Sequence, residues 1–173
     1  MFDPTAFENM KVVIEGELYD RDLSGEIRIE DRNDIFNSAK LSRKYEITFT
    51  DQLEDITCTF IMEADLANLA AELLPTIHSN KLAGSHISIK FTFMQEESMA
   101  IFQKIERTLK EIWGAERMIK QLIIRDPLSN KSMITNETTI IFNRLVYEDQ
   151  VDDIIAMVDY MNASLAKLRE LKS

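Results

Sequence analysis

The spacing of apolar residues changes along the chain, from steps mostly of two before residue 95 to steps of three and four after it. Alternation of apolar and polar side chains is typical of strands that bury one face, whereas the longer steps are typical of amphipathic helices. The pattern predicts a strand-rich part at 10–94 and a helix-rich part at 95–173. Because no repeat, low-complexity tract or flexible linker separates them, we expect a single domain over 1–173.

The two parts together predict an α+β fold. We expect an antiparallel β-sheet of five to six strands, packed on one face by long amphipathic helices. Half-buried strands and amphipathic helices each leave one apolar face uncovered, and stacking the two layers buries both faces.

The last quarter of the chain, Glu148 to Ser173, has the clearest periodicity and predicts one amphipathic helix. Its apolar residues recur at steps of three and four: Val151, Ile154, Val158, Met161, Leu165 and Leu168. Acidic residues concentrate in the first turns and basic residues in the last, which complements the helix dipole. This apolar seam must be buried, either against the sheet of the same chain or against another chain.

A first β-hairpin is predicted near the start of the strand-rich part. Residues 11–19 alternate in polarity, and residues 26–30 alternate between charged and apolar at every position. The segment between them, 20–25, is polar and short, as a hairpin loop should be. The polar segment 31–43 that follows is expected to be a loop with at most one helical turn.

A second hairpin and two further elements complete the strand-rich part. Their predicted members are strands at 45–50, 56–62 and 87–93 and a helix at 65–74. The polar residues 51–55 form the turn of this hairpin, and Pro75 should end the helix, since proline disfavours helical geometry in the residue before it.

The segment 96–125 is open to two interpretations. Its apolar residues follow helical steps at Phe102, Ile105, Leu109, Ile112, Ile119 and Ile123. Gly114 interrupts the pattern, and glycine costs about 1 kcal/mol relative to alanine inside a helix. The segment is either one long helix, or a helix that ends near Gly114 and is followed by a short strand at 121–125. The continuous register favours the long helix.

Residues 138–147 are also ambiguous. Thr138, Thr139 and Ile140 favour a strand by propensity, whereas the seam of the last helix extends back through Tyr147 and Ile140. Propensity favours the strand, which we expect to join the edge of the sheet.

Charge and composition restrict the classes of partner. The 173 residues carry 20 basic and 30 acidic side chains, and the resulting net charge of −10 disfavours binding to nucleic acids and anionic membranes. The single cysteine excludes an intramolecular disulfide framework and favours a reducing compartment. Residues 1–10 lack the apolar core of a signal peptide, and no apolar run reaches the ~18 residues of a membrane span. We therefore expect a cytoplasmic protein.

One segment resembles the calcium-binding loop of the EF-hand family. Within residues 20–31, the matching positions are Asp20, Asp22, Ser24, Gly25 and Asp31. These residue types supply oxygen ligands and a sharp turn to a hard cation, so the resemblance implies a weak calcium site. Arg28 at the ninth position and the strand predicted before the loop depart from the family's pattern. The sequence therefore favours a polar hairpin loop.

Other candidate chemistry is sparse. Cys58 lies in the apolar row of a predicted strand, which favours a buried structural residue over a nucleophile. His78 and His86 are the two imidazoles of the chain, too few for a metal site without further ligands nearby. Four scattered glycines exclude a glycine-rich phosphate loop. The sequence predicts no catalytic residue, no metal ligand and no cofactor.

The remaining expectation concerns assembly. We expect a non-enzymatic protein-interaction or regulatory domain that forms homodimers through its helical half, where methionines suited to adaptable surfaces are frequent. One alternative is a small-ligand-binding module with an apolar pocket between sheet and helices. Another is an enzyme whose acidic residues meet only in the fold, and weak calcium binding at 20–31 is a further alternative.

Overall fold

The computed structural model describes residues 5–74 and 81–172, in which one antiparallel sheet carries helices on one face. The elements in chain order are α1 (Ala6–Leu23), β1 (Ile27–Asn37), β2 (Ser42–Asp51), β3 (Ile56–Ala64), α2 (Leu66–Leu73), β4 (Gly84–Glu96), α3 (Met99–Trp113), β5 (Met118–Ile124), β6 (Met133–Tyr147), a 3-10 turn (Glu148–Gln150) and α4 (Val151–Lys172). The strand order is β1-β2-β3-β4-β6-β5, so strands of both halves share the sheet. The predicted α+β fold class is confirmed.

The first predicted hairpin is wrong, because residues 11–19 belong to helix α1. The Thr5 hydroxyl caps this helix by accepting a hydrogen bond of 3.3 Å from the backbone N–H of Glu8. The buried stripe follows helical steps through Phe7, Met10, Ile14 and Leu18. Val12, which a strand would place on the same face as Ile14, is 56% exposed. The alternating residues 11–19 therefore belong to a helix whose buried stripe begins earlier, at Phe7.

Strand β1 is longer than predicted. The strand expected at 26–30 is confirmed, but β1 continues to Asn37, and only residues 38–41 turn the chain into β2. The loop predicted for 31–43 is therefore wrong. β1 lies at one edge of the sheet, where its outward side chains meet solvent, so its polar sequence is compatible with a strand.

An ion-pair network ties α1 to the first two strands. The Arg43 guanidinium lies 2.6 Å from Asp34 and 2.7 Å from Glu8, and it stacks over the Phe7 ring at 4.7 Å from the centroid. Hydrogen bonds from Arg43 lower the pKa of Asp34 to about 2. The charged residues on the helix side of β1 and β2 thus hold α1 in place.

The remaining strand-rich elements are confirmed. β2 and β3 form the second hairpin, β4 is the fifth predicted strand, and α2 is the predicted helix at 65–74. Asp65 caps α2 by accepting from the Asn68 N–H at 2.9 Å, and the Asn68 side chain accepts from the Asp65 N–H at 3.0 Å. Pro75, predicted to end this helix, lies outside the described residues.

The favoured interpretation of 96–125 as one long helix is wrong. Helix α3 ends at Trp113, and residues 118–124 form β5. Gly114 causes the change of direction, because its φ of 109° is strained for residues with a side chain. A Cβ at this position would lie 2.7 Å from a Glu116 carboxylate oxygen. The alternative of a helix ended near Gly114 and followed by a strand is the correct one.

Strand β6 confirms the strand predicted at 138–147, but this strand does not lie at the edge of the sheet as expected. β6 begins at Met133 and pairs with β4 on one side and β5 on the other, so it lies inside the sheet and β5 takes the edge. Its 15 residues join the strands of the first half to the last strand of the sheet.

Helix α4 confirms the predicted C-terminal helix, and its apolar seam is buried within the same chain. The residues Ile154, Val158, Met161, Leu165 and Leu168 are at most 1% exposed and belong to the core formed with the sheet and α1. The seam therefore closes the core of its own chain. Among the described residues, no helix is both long and apolar enough to cross a bilayer.

Gly16 offers a test of helix α1. It is exposed, and a Cβ added there would meet no atom within 4 Å. Alanine is favoured over glycine in helix interiors and restricts the unfolded chain, so we expect Gly16→Ala to raise the free energy of unfolding by about 0.5–1 kcal/mol in urea denaturation. The matched change Gly114→Ala should lower it, because of the positive φ and the close Glu116 carboxylate. A loss of stability in Gly16→Ala would contradict a helix at this position.

Candidate functional site

The residues singled out for possible calcium binding do not form a loop in the structure. Asp20 and Asp22 lie in the last turn of α1, whereas Asp31 lies in β1 beyond a strand irregularity. Within residues 5–74 and 81–172, no group of three or more histidine, cysteine or carboxylate side chains is placed to hold a metal ion. The geometry therefore gives no support to the calcium alternative.

Cys58 and His86, the other candidate side chains that the structure describes, do not form a site together. Cys58 is fully buried in β3, between Phe49 and Phe91 of the neighbouring strands, and burial raises the pKa of its thiol well above the usual value. A thiol in this state is a poor nucleophile, because the thiolate is the reactive form. His86 is exposed on β4. His78 lies outside the described residues.

The two edge strands of the sheet differ in character. Edge strands offer unpaired backbone groups, and proteins usually protect them with charges or bulges. β1 carries five charged side chains from Arg28 to Asp34, and its register shifts between Ile29 and Asp31. β5, with the sequence MIKQLII, has Lys120 as its one charge and a regular register with β6. In the described part of the chain, β5 is thus the edge without protection.

Strand β5 also exposes apolar side chains. Met118, Leu122, Ile123 and Ile124 are each 44–52% exposed. The register places Ile124 beside Thr135 of β6, which in turn lies beside the exposed Met94 of β4. We call the strand Met118–Ile124 the β5 edge. Sequence reasoning missed it because these residues were assigned to the long helix, although the β-branched pair at its end favours a strand.

A pocket of about 490 Å³ lies where α3, β6 and α4 meet. Three aromatic rings and four charged side chains dominate its lining: Trp113, Phe142, Tyr160, Glu111, Arg117, Arg144 and Asp153. We call it the α3–α4 pocket. A larger concavity of about 690 Å³ along α3 is lined by polar and charged residues and one alanine, all between 103 and 115, so it is the outer surface of one helix and its end.

The aromatic rings of the α3–α4 pocket hold one another in place. Trp113 meets the Phe142 ring edge-on, with centroids 5.9 Å apart, and the Tyr160 ring at 5.5 Å. The indole N–H donates to the Ser164 hydroxyl at 2.9 Å, and that hydroxyl donates to the Tyr160 carbonyl at 2.7 Å. Trp113 is therefore fixed to α4 by packing and by a buried hydrogen bond.

Among the described residues, neither arginine of the pocket forms an ion pair shorter than 3.7 Å. The Arg117 guanidinium lies over the Phe142 ring at 4.4 Å, and its nearest ion pair, with Glu116, is 3.7 Å long. Its Nε atom is buried and has no hydrogen-bond partner among the described residues. Arg144 donates to the Gln150 side chain at 3.2 Å. The pocket thus offers guanidinium donors beside aromatic surface, with the carboxylates of Glu111 and Asp153 in the same lining.

Comparison with known proteins identifies no relative of this chain. No family model, no curated protein and no solved structure matches it.

Proposed function

We propose that this chain is a protein-interaction domain that self-associates through the β5 edge. The observation that supports the proposal is the contrast between the two edges of the sheet, one charged and bulged and the other regular and apolar. An apolar, unprotected edge strand promotes aggregation unless a partner covers it. The self-association expected from the sequence through the helical half is thus proposed at β5, which lies within that half.

A second copy fits the β5 edge because the strand is complementary to itself. Antiparallel pairing about a two-fold axis at Gln121 would place Met118 opposite Ile124 of the second copy and Ile119 opposite Ile123 of the second copy. Every residue of β5 would then have a partner, and each apolar residue but Leu122 would face another apolar residue. Such a contact is isologous, so it closes as a dimer and does not propagate.

The single charge of β5 is compatible with this pairing. Lys120 would lie opposite Leu122 of the second copy, where its methylene chain covers the leucine while the ammonium group reaches solvent. Leu122 lies beside Glu137 of β6 in the register of the sheet. Each lysine would therefore share a cross-strand row with an acidic side chain of the second copy.

Light scattering after size exclusion tests the proposal on the full chain. We expect twice the mass of one chain, and we expect Leu122→Lys to weaken dimerisation by at least ~100-fold, because it places a lysine directly opposite Lys120 of the other copy at both ends of the contact, where like charges repel. Ile35→Lys is the matched control: Ile35 lies on the opposite edge strand and is 47% exposed, against 46% for Leu122. Circular dichroism should show that both variants are folded.

Two results would overturn the proposal. A chain that is monomeric at every concentration does not self-associate, and the β5 edge would then need a different chain as its partner. A dimer that survives Leu122→Lys but dissociates in Ile35→Lys would place the contact at β1.

A further inference from the structure

We propose that the α3–α4 pocket binds a small monocarboxylate with a flat aromatic body. The proposal is independent of self-association, because the pocket is built from residues of one chain. Its volume of about 490 Å³ lies within the ~300–1,000 Å³ typical of small-molecule sites.

The aromatic lining favours a flat apolar body. Trp113 is held by its neighbours and by the bond to Ser164, so its ring is in place before a ligand arrives. The ring of Tyr160 is tilted by 57° from the indole, and both rings line the cavity. A ring that enters this space gains offset or edge-on contacts with them and buries apolar surface.

The arginines favour a carboxylate. A guanidinium matches a carboxylate in shape and donates two parallel hydrogen bonds to it. Arg117 lines the cavity and is positioned by its stacking on Phe142; because its Nε is buried, a ligand carboxylate would be bound by the terminal N–H groups of the guanidinium. Arg144 lines the same cavity and is exposed, so it can exchange its hydrogen bond to the Gln150 side chain for one to a ligand without unpacking the core.

The acids of the pocket limit the ligand to a single negative charge. Glu111 and Asp153 line the cavity together with Arg117 and Arg144, so the four formal charges cancel. The whole chain carries a net charge of −10. A dianion such as an aryl phosphate would meet more repulsion from the acids than a monocarboxylate does, which decides between the two classes of anion.

Trp113 provides a direct signal for binding, since it is the one tryptophan of the chain and lines the pocket. The probe is phenylacetate, titrated into the full chain with excitation at the red edge of indole absorption. We expect a saturable change of Trp113 fluorescence together with a rise of the melting temperature. Acetate, which lacks the ring, phenylacetamide, which lacks the charge, and phenyl phosphate, which carries two charges, should each bind at least ~10-fold more weakly.

Two variants separate a specific site from general binding. Arg144→Met should weaken phenylacetate binding about 10-fold without loss of folding, because Arg144 is exposed and a charge-assisted hydrogen bond is removed. Arg107→Met, an exposed arginine of α3 that does not line this pocket, should leave binding unchanged.

Three outcomes would overturn the proposal. The first is no saturable fluorescence change with phenylacetate, 4-hydroxyphenylacetate or 2-naphthoate. The second is equal binding of phenylacetate and phenylacetamide, which would remove the role of the charge. The third is unchanged affinity in Arg144→Met, or an equal loss in Arg107→Met, which would place the carboxylate elsewhere.

Discussion

A chain that ends at Tyr147 is expected to be unfolded in the absence of denaturant. The truncation removes α4, whose fully or nearly buried apolar side chains are Ile154, Met157, Val158, Met161, Leu165 and Leu168. Burial of one such side chain stabilises a protein by about 1.5–3 kcal/mol, so their sum is on the order of 10 kcal/mol. That equals the whole stability of a typical domain, about 5–15 kcal/mol. Circular dichroism and thermal denaturation would show the loss as weak helical signal without a cooperative transition.

Two adjacent isoleucines of α4 supply the matched control for this prediction. Ile154 is completely buried, whereas Ile155 is 38% exposed. Ile154→Ala should lower the free energy of unfolding by about 2–5 kcal/mol, and Ile155→Ala by less than ~1 kcal/mol. A truncated chain that melts cooperatively, or equal losses in the two point variants, would mean that α4 does not close the core.

Replacement of Ile14 by asparagine is expected to remove most of the stability of the domain. Ile14 is fully buried in the stripe that α1 presents to the sheet and α4. The substitution deletes apolar contacts and buries an amide that has no provided partner, and together these effects cost about 3–5 kcal/mol. Urea denaturation followed by circular dichroism measures the change.

Val12→Asn distinguishes the helix from the strand that the sequence pattern predicts. A strand would place Val12 and Ile14 on one face, and both substitutions would then be costly. In helix α1, Val12 points to solvent, so Val12→Asn should change the free energy of unfolding by less than about 0.5 kcal/mol. Similar large losses in both variants would support the strand.

Elements whose buried face follows one clean period could be predicted from sequence. Helix α4 is recognised by its steps of three and four, and β2 and β4 by alternation, because each buries mainly one face against the same core. Strand β3 carries the same apolar row but also buries Thr59 and Ile61 on its other face. Helix α2 adds the capping pair Asp65 and Asn68. In these segments the residues that define the apolar pattern are the same residues that pack in the core, so the pattern predicts the element correctly.

The errors arise where a local signal at an element boundary decides the structure. The start of α1 is marked by Thr5 and Glu8, a Thr-x-x-Glu pattern typical of helix N-termini, but the alternation that follows them suggested a strand. The helical register of apolar residues continues across Gly114, but the positive φ of this glycine ends α3. Strand β1 has few apolar residues because its helix-side positions form ion pairs, as Asp34 does with Arg43.

The candidate sites were less accessible to sequence reasoning than the fold. The β5 edge is not predicted from the sequence, because Ile119 and Ile123 continue the helical register of α3 across Gly114 although residues 118–124 form a strand. The α3–α4 pocket joins Trp113, Phe142 and Tyr160, which come from three elements and meet only through packing. The alternative drawn from the sequence is an apolar pocket between sheet and helices, whereas the α3–α4 pocket also carries four charged side chains that only the tertiary structure brings together.

The position of β6 between β4 and β5 has a consequence for how the chain folds. β6 pairs with β4 along almost its whole length, and even the nearest paired residues, Glu96 and Met133, are separated by residues 97–132. Closing this loop costs entropy before its contacts form, so it should be the slow step of folding. Before β6 pairs, β4 presents unpaired backbone groups at an open edge, and such an edge favours aggregation.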